Sequence, residues 1–133
     1  GAVAGLVAIT PASGFVDVKA ALLIGLIAGV GCYWGATGLK RMLGADDSLD
    51  VFGIHGIGGV IGAILTGVFA QHQLSGLETT VTIQAIGAFV TLAYSFTVSL
   101  ILLFVIDLII GLRVDAENES IGLDLTQHGE QIP

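Results

Sequence analysis

The sequence holds three histidines, and one of them, His55, sits inside the apolar run Phe52-Gly53-Ile54-His55-Gly56-Ile57-Gly58-Gly59. Imidazole titrates near pH ~6.5 and offers both a donor and an acceptor nitrogen, so it suits the passage of a small polar or protonatable species. In a soluble helix the ordinary reading would be a satisfied core histidine. In a charge-free apolar span the reading shifts. Ionisable groups at membrane depth are costly and persist where they face a bundle interior or a conduction path. A metal site would need several donors. His72 falls near the opposite end of the same expected helix and His128 in the polar C-terminal stretch, so no metal centre is expected. Asp50 stands five residues before His55, where capping and packing compete evenly with a part in transport.

The remaining motifs argue against other chemistry. Gly56-x-Gly58-Gly59-x-x-Gly62 superficially matches a dinucleotide-binding glycine loop, but that loop needs a preceding strand and a distant acidic residue. Here a helix start precedes it, and no carboxylate follows until Glu78. No Ser–His–Asp set, Cys–His pair or phosphate loop stands out, so neither catalysis nor a cofactor is expected. Cys32 is the lone cysteine, which excludes an intrachain disulfide, and it reads as a small buried hydrophobe.

The elements that must hold His55 are long and apolar. Residues 20–39, 51–77 and 79–106 contain no Asp, Glu, Lys or Arg. Each is long enough to cross a bilayer, which takes roughly 20 apolar residues. Only 11% of the chain is charged and its mean hydropathy is +0.95, too little polar surface for one soluble core. Helices are expected at about 1–11, 20–39, 48–70 and 80–112, the first being the end of a span. The chain is accordingly expected to be a fragment of a longer polytopic protein. Pro11, Ser13 and Gly14 break the first helix. Asp47 or Ser48 can cap the third, with Asp50 in its first turn. The last helix would be about 48 Å long at ~1.5 Å per residue, so it should tilt or project. Tyr33 and Trp34 suit an interface. Glycines four apart, Gly25/Gly29, Gly31/Gly35 and Gly58/Gly62, put small residues on one helix face and are expected to be packing sites.

The net charge of −7 is unevenly placed, with Asp115, Glu117, Glu119, Asp124 and Glu130 following the last apolar run. An acidic balance argues against a nucleic-acid partner. Alternating spans put Lys40, Arg41 and Arg113 on one side and Lys19 on the other, which makes the first group cytoplasmic. Residues 113–133 then form a cytoplasmic tail. Such tails are commonly solvated ends, but Ile121, Leu123, Leu125 and Ile132 and the triplets Gly122-Leu123-Asp124 and His128-Gly129-Glu130 hint at docking. Arg113 could pair with a tail carboxylate such as Asp124.

These residues carry a resemblance. The run Asp46-Asp47-Ser48-Leu49-Asp50-Val51-Phe52-Gly53-Ile54-His55-Gly56-Ile57-Gly58-Gly59 resembles the signature around the second pore histidine of the ammonium transporter family (Amt/MEP/Rh). Ala4-Gly5-Leu6-Val7-Ala8-Ile9-Thr10-Pro11-Ala12 resembles the end of that family's eighth helix. Gly111-Leu112-Arg113-Val114, with the two tail triplets, resembles its cytoplasmic tail.

The resemblance implies an all-α polytopic membrane protein, an eleven-helix protomer in a homotrimer with one hydrophobic pore each. This chain would be its last third. His55 matches the second pore histidine and Val51 an apolar lining position one turn before it, with Asp50 and Gly56 structural near the pore. The first histidine, the paired phenylalanines and the external ammonium-binding aromatic would lie in earlier helices, so the fragment is expected to be inactive alone. The implied function is ammonium or ammonia transport across the cytoplasmic membrane; the alternative is an ammonium sensor or a non-transporting anchor or regulatory subunit. The tail fits the bacterial Amt pattern, in which a trimeric P-II signal protein binds it. That makes Arg113, Gly122, Leu123, Asp124, His128, Gly129 and Glu130 the expected regulatory residues.

Overall fold

The computed structural model describes residues 1–130; residues 131–133, which include Ile132 and the end of the expected tail, lie outside the described residues. Its elements are helices: α1 (Ala2–Ile9), α2 (Val18–Leu43), α3 (Phe52–Phe69), α4 (His72–Ser75), α5 (Val81–Ile110) and α6 (Ala116–Ile121). Three of them, α2, α3 and α5, are long and apolar enough to cross a membrane. The chain forms two compact units, Gly1–Leu92 and Ala93–Pro133, with the boundary inside α5.

Local chemistry sets the helix ends. A short 3₁₀ turn, Thr10–Ala12, closes α1 at Pro11. The side chain of Asp17 caps α2 by accepting the Ala20 N–H at 2.8 Å. That bond, helped by the Gln71 side chain, holds the Asp17 carboxyl below its usual range. Lys40 and Arg41 occupy the last turn of α2, where cations meet free carbonyls. Gly44 ends it with φ +59°, a left-handed conformation that glycine adopts without steric cost. Asp47 caps α3, its two carboxylate oxygens accepting the Val51 and Phe52 N–H groups at 2.8 and 2.9 Å. The stretch after α3 contains the single turn α4. Gln71 there donates its backbone N–H to the Phe15 carbonyl at 2.8 Å, tying the two loops at this end together.

The first unit packs α1, α2 and α3 through residues spaced by four. Ala4, Ala8 and Ala12 are buried in sequence order, as are Ala20, Ile24, Ala28 and Cys32 on α2. Gly58, Gly62 and Thr66 form the matching row on α3. Rows of this spacing are the ridges by which helices interlock, and small residues in them let backbones meet. Gly62 lies directly on the Ala8 carbonyl, and Gly58 on Cys32 and Val7. Thr66 satisfies its hydroxyl within its own helix by donating to the Gly62 carbonyl at 2.8 Å. The expected glycine pairs therefore divide. Gly58/Gly62 and Gly31/Gly35 are packing sites, whereas a Cβ on Gly25 or Gly29 would meet no atom within 4 Å, because each lines an open cleft between α2 and α1. Two close approaches were not expected: Gly35 against Gly53, and Gly67 against the backbone of Val81.

None of the 30 residues of α5 is buried. In the second unit, the polar stretch after α5 takes local helical form. α6 is followed by a π-helical turn, Asp124–His128.

Candidate functional site

The candidate site is built on the start of α3. Its first five residues, Phe52–Gly56, form a π-helical turn. The Ile57 N–H reaches the Phe52 carbonyl five residues back, as well as that of Ile54. His55 lies within this turn and is exposed. Val51, one turn earlier, is exposed as well at 57%. The two side chains lie four residues apart, the spacing that puts residues on one side of a helix. Single π turns inside α-helices occur frequently at functional sites.

The turn is held from its neighbour. α2 has a π-helical turn of its own, Gly35–Leu39, and the two turns touch. A Cβ on Gly53 would come within 2.5 Å of the Ala36 nitrogen, and one on Gly35 within 2.7 Å of the Gly53 carbonyl oxygen. No residue larger than glycine fits either place without moving backbone. The thiol of Cys32 donates to the Ile54 carbonyl at 3.4 Å. Gly56 leaves room for the ring of Phe52 on its own helix. An apolar cleft of about 440 Å³, lined among others by Trp34, Phe52, Gly56 and Leu92, opens beside the turn; His55 is not part of its lining.

Asp50 departs from its expected place in the first helical turn. Its φ is +54°, the one positive value outside glycine among the described residues. Its Oδ1 accepts a hydrogen bond from Lys40 Nζ at 2.7 Å. Capping falls to Asp47, one of the two residues expected to cap, while the Asp50 carboxylate meets Lys40 at the end of α2. Sequence reasoning missed the Lys40–Asp50 pair: ten residues and a turn separate the two.

The tail residues form a separate, exposed group. Arg113 makes a bidentate pair with Glu119, Nε to Oε1 at 2.8 Å and one terminal nitrogen to Oε2 at 3.0 Å. The partner is a tail carboxylate, but Glu119 rather than the suggested Asp124. Gly122 and Gly129 both have positive φ, +114° and +65°, and Leu123, Asp124 and His128 fall between them. The Glu130 N–H closes the turn on the Asp124 carbonyl at 2.9 Å. Both glycines thus have a local backbone reason to be there.

The profile of the Ammonium Transporter Family matches residues 1–132. The chain belongs to the ammonium transporter family. An "Ammonium transporter" of Bacillus subtilis (strain 168) is 44% identical over 140 residues, covering 98% of this chain and 35% of the relative. "Ammonium transporter Amt1" of Archaeoglobus fulgidus is 45% identical over 137 residues, with the same coverage, 98% and 35%. The crystal structure of Saccharomyces cerevisiae Mep2 superposes with a TM-score of 0.80 at 38% identity, over 88% of this chain and 30% of that one. The chain thus spans about a third of the length of the curated relatives it matches. The all-helical fold with three membrane-length helices agrees with that membership and makes this a multi-pass membrane protein.

Proposed function

We propose that these residues form the C-terminal third of a transporter that moves ammonium or ammonia across the cytoplasmic membrane. The observation that carries the reading is His55. It is an exposed imidazole on a π-helical turn, in a span without other charge, in a chain of this family. Val51 lines the path one turn away, and Asp50 and Gly56 shape the backbone around it.

Chemistry then follows from cost. Ammonium must shed its hydration shell to enter an apolar pore, and a bare ion there is expensive. The pore favours deprotonation, so that neutral ammonia and the proton cross by separate steps, with imidazole nitrogens handling the proton. A second histidine from earlier helices would complete that relay. The helices before α1, the paired phenylalanines and the external aromatic site belong to the same missing part, so this chain alone does not transport. The working unit is a homotrimer in the bilayer. Lys40, Arg41, Arg113 and the tail face the cytoplasm. Gly122, Leu123, Asp124, His128, Gly129 and Glu130 form a docking segment for a P-II signal protein.

The test is methylammonium uptake or ammonium-dependent current in liposomes holding the full-length protein. Selective flux supports transport. Ammonium binding without flux would favour a sensor, and neither would favour an anchor.

A further inference from the structure

We propose that Lys40 and Asp50 are positioning residues for His55, clasping the π-helical turn that carries it against the π-helical turn of α2. The proposal rests on the reading of His55 as the pore's polar group.

A π turn is less favourable than an α turn and is seldom longer than one turn. Slipping back to α geometry would remove one residue from the turn and rotate the flanking segments by roughly 100° against each other. The azimuth of His55 therefore depends on whatever holds Phe52–Gly56 in its wide form. Three holds are visible around it. Asp47 takes the Val51 and Phe52 N–H groups. Gly53 is seated on the backbone of Gly35 and Ala36. Cys32 bonds the Ile54 carbonyl.

The Lys40–Asp50 pair closes the fourth side. Lys40 is the residue that ends the π turn of α2, its own N–H reaching the Gly35 carbonyl. Asp50 stands two residues before the π turn of α3 and accepts the Ile54 N–H on its carbonyl at 2.9 Å. The 2.7 Å contact between their side chains thus joins the end of one wide turn to the start of the other. Asp50 also holds a left-handed backbone, φ +54°. Such conformations in non-glycine residues persist where the surroundings over-determine them.

The pair is too wet to matter for overall stability. Its side chains are 30% and 38% exposed, and pairs of that kind contribute little to folding. Its effect is local, on geometry.

The test uses Lys40→Gln, Asp50→Asn, the double variant and Lys40→Arg in the full-length protein reconstituted in liposomes. Asparagine tolerates the left-handed conformation, so Asp50→Asn removes charge and leaves backbone preference nearly intact. Each single variant should lower the maximal ammonium uptake rate about fivefold with KM nearly unchanged. The double variant should lose no more than either single, because both remove one interaction. Lys40→Arg should restore most of the rate, with assembly and thermal stability unchanged throughout. On a His55→Ala background the clasp variants should add nothing.

Wild-type uptake by both single variants would overturn the proposal. So would losses that multiply in the double, or loss of assembly in both Lys40→Gln and Asp50→Asn, which would make the pair structural. Normal transport by His55→Ala would sink the underlying reading of the site, and the clasp with it. Impaired His55→Ala beside normal clasp variants would sink the clasp alone.

Discussion

At the residue scale, the proposed transport role rests on one group, His55, on a turn packed against its neighbours. His55→Ala should cut ammonium uptake at least about tenfold, or open a non-selective leak, as expected when a group that carries a proton in transit is removed. The protein should still assemble, because the buried row by which α3 packs on α1 and α2 runs through Gly58, Gly62 and Thr66 and not through His55. Uptake assays beside size-exclusion profiles check this, and unchanged rate and selectivity would return His55 to a packing role. Asp17 gives a second, independent expectation. Its carboxyl is held below the ordinary range, first by the Ala20 N–H and then by Gln71. Because folding lowers this pKa, the stabilisation is present at neutral pH and is lost as pH falls through the lowered value. Thermal unfolding should show Asp17→Ala less stable than wild type at pH 7, with the gap narrowing below the usual carboxylate pKa of ~3.9. A gap that widens on acidification would refute the cap. That His55 lies on a membrane-length helix was legible in the sequence, because a lone ionisable group stands out in an apolar run. The Lys40–Asp50 pair was not, since it depends on where two helix ends meet.

At the element scale, the three packed helices of the first unit rest on rows of small residues. Gly62 sits on the Ala8 carbonyl. Gly62→Ala or Gly62→Leu must push two backbones apart, at a cost of about 1–3 kcal/mol by the usual range for overpacking. A Cβ on Gly25 would meet nothing within 4 Å. Gly25→Ala in this chain should be neutral or stabilise by up to about 1 kcal/mol, the ordinary gain from replacing glycine in a helix. Unfolding in detergent reads both, and equal effects at the two sites would contradict the packing described. Spacing by four was visible beforehand in all these glycines, but spacing alone cannot say which row meets a partner. That is decided by the crossing of α1, α2 and α3, which brings Gly58 and Gly62 into close contact and leaves open clefts beside Gly25 and Gly29. The π-helical turns left no mark in periodicity. Gly35 and Gly53 make room for them, yet each glycine by itself reads like any other.

At the scale of the whole molecule, family membership and three membrane-length helices agree, while the chain accounts for about a third of its relatives' length. The long apolar runs made the helical membrane fold legible from composition. The tail was harder, because its apolar residues are scattered and its glycines serve turns as well as any docking. The bidentate pair Arg113–Glu119 is exposed and contributes about 0–1 kcal/mol. The tail's docked form should therefore depend on a partner. Deleting residues 114–133 from the full-length protein should leave membrane insertion intact and abolish P-II binding, read by co-purification; retained binding and control would make the tail a solvated end. This chain reconstituted alone should give no selective ammonium flux. The central claim is that His55 serves a transport path, and ammonium-dependent current through the full-length protein in liposomes, wild type beside His55→Ala, tests it most directly. The account predicts selective current in the wild type that is abolished or made unselective by the substitution. Equal, equally selective currents from both proteins, or no ammonium-dependent current from the intact assembly, would contradict it.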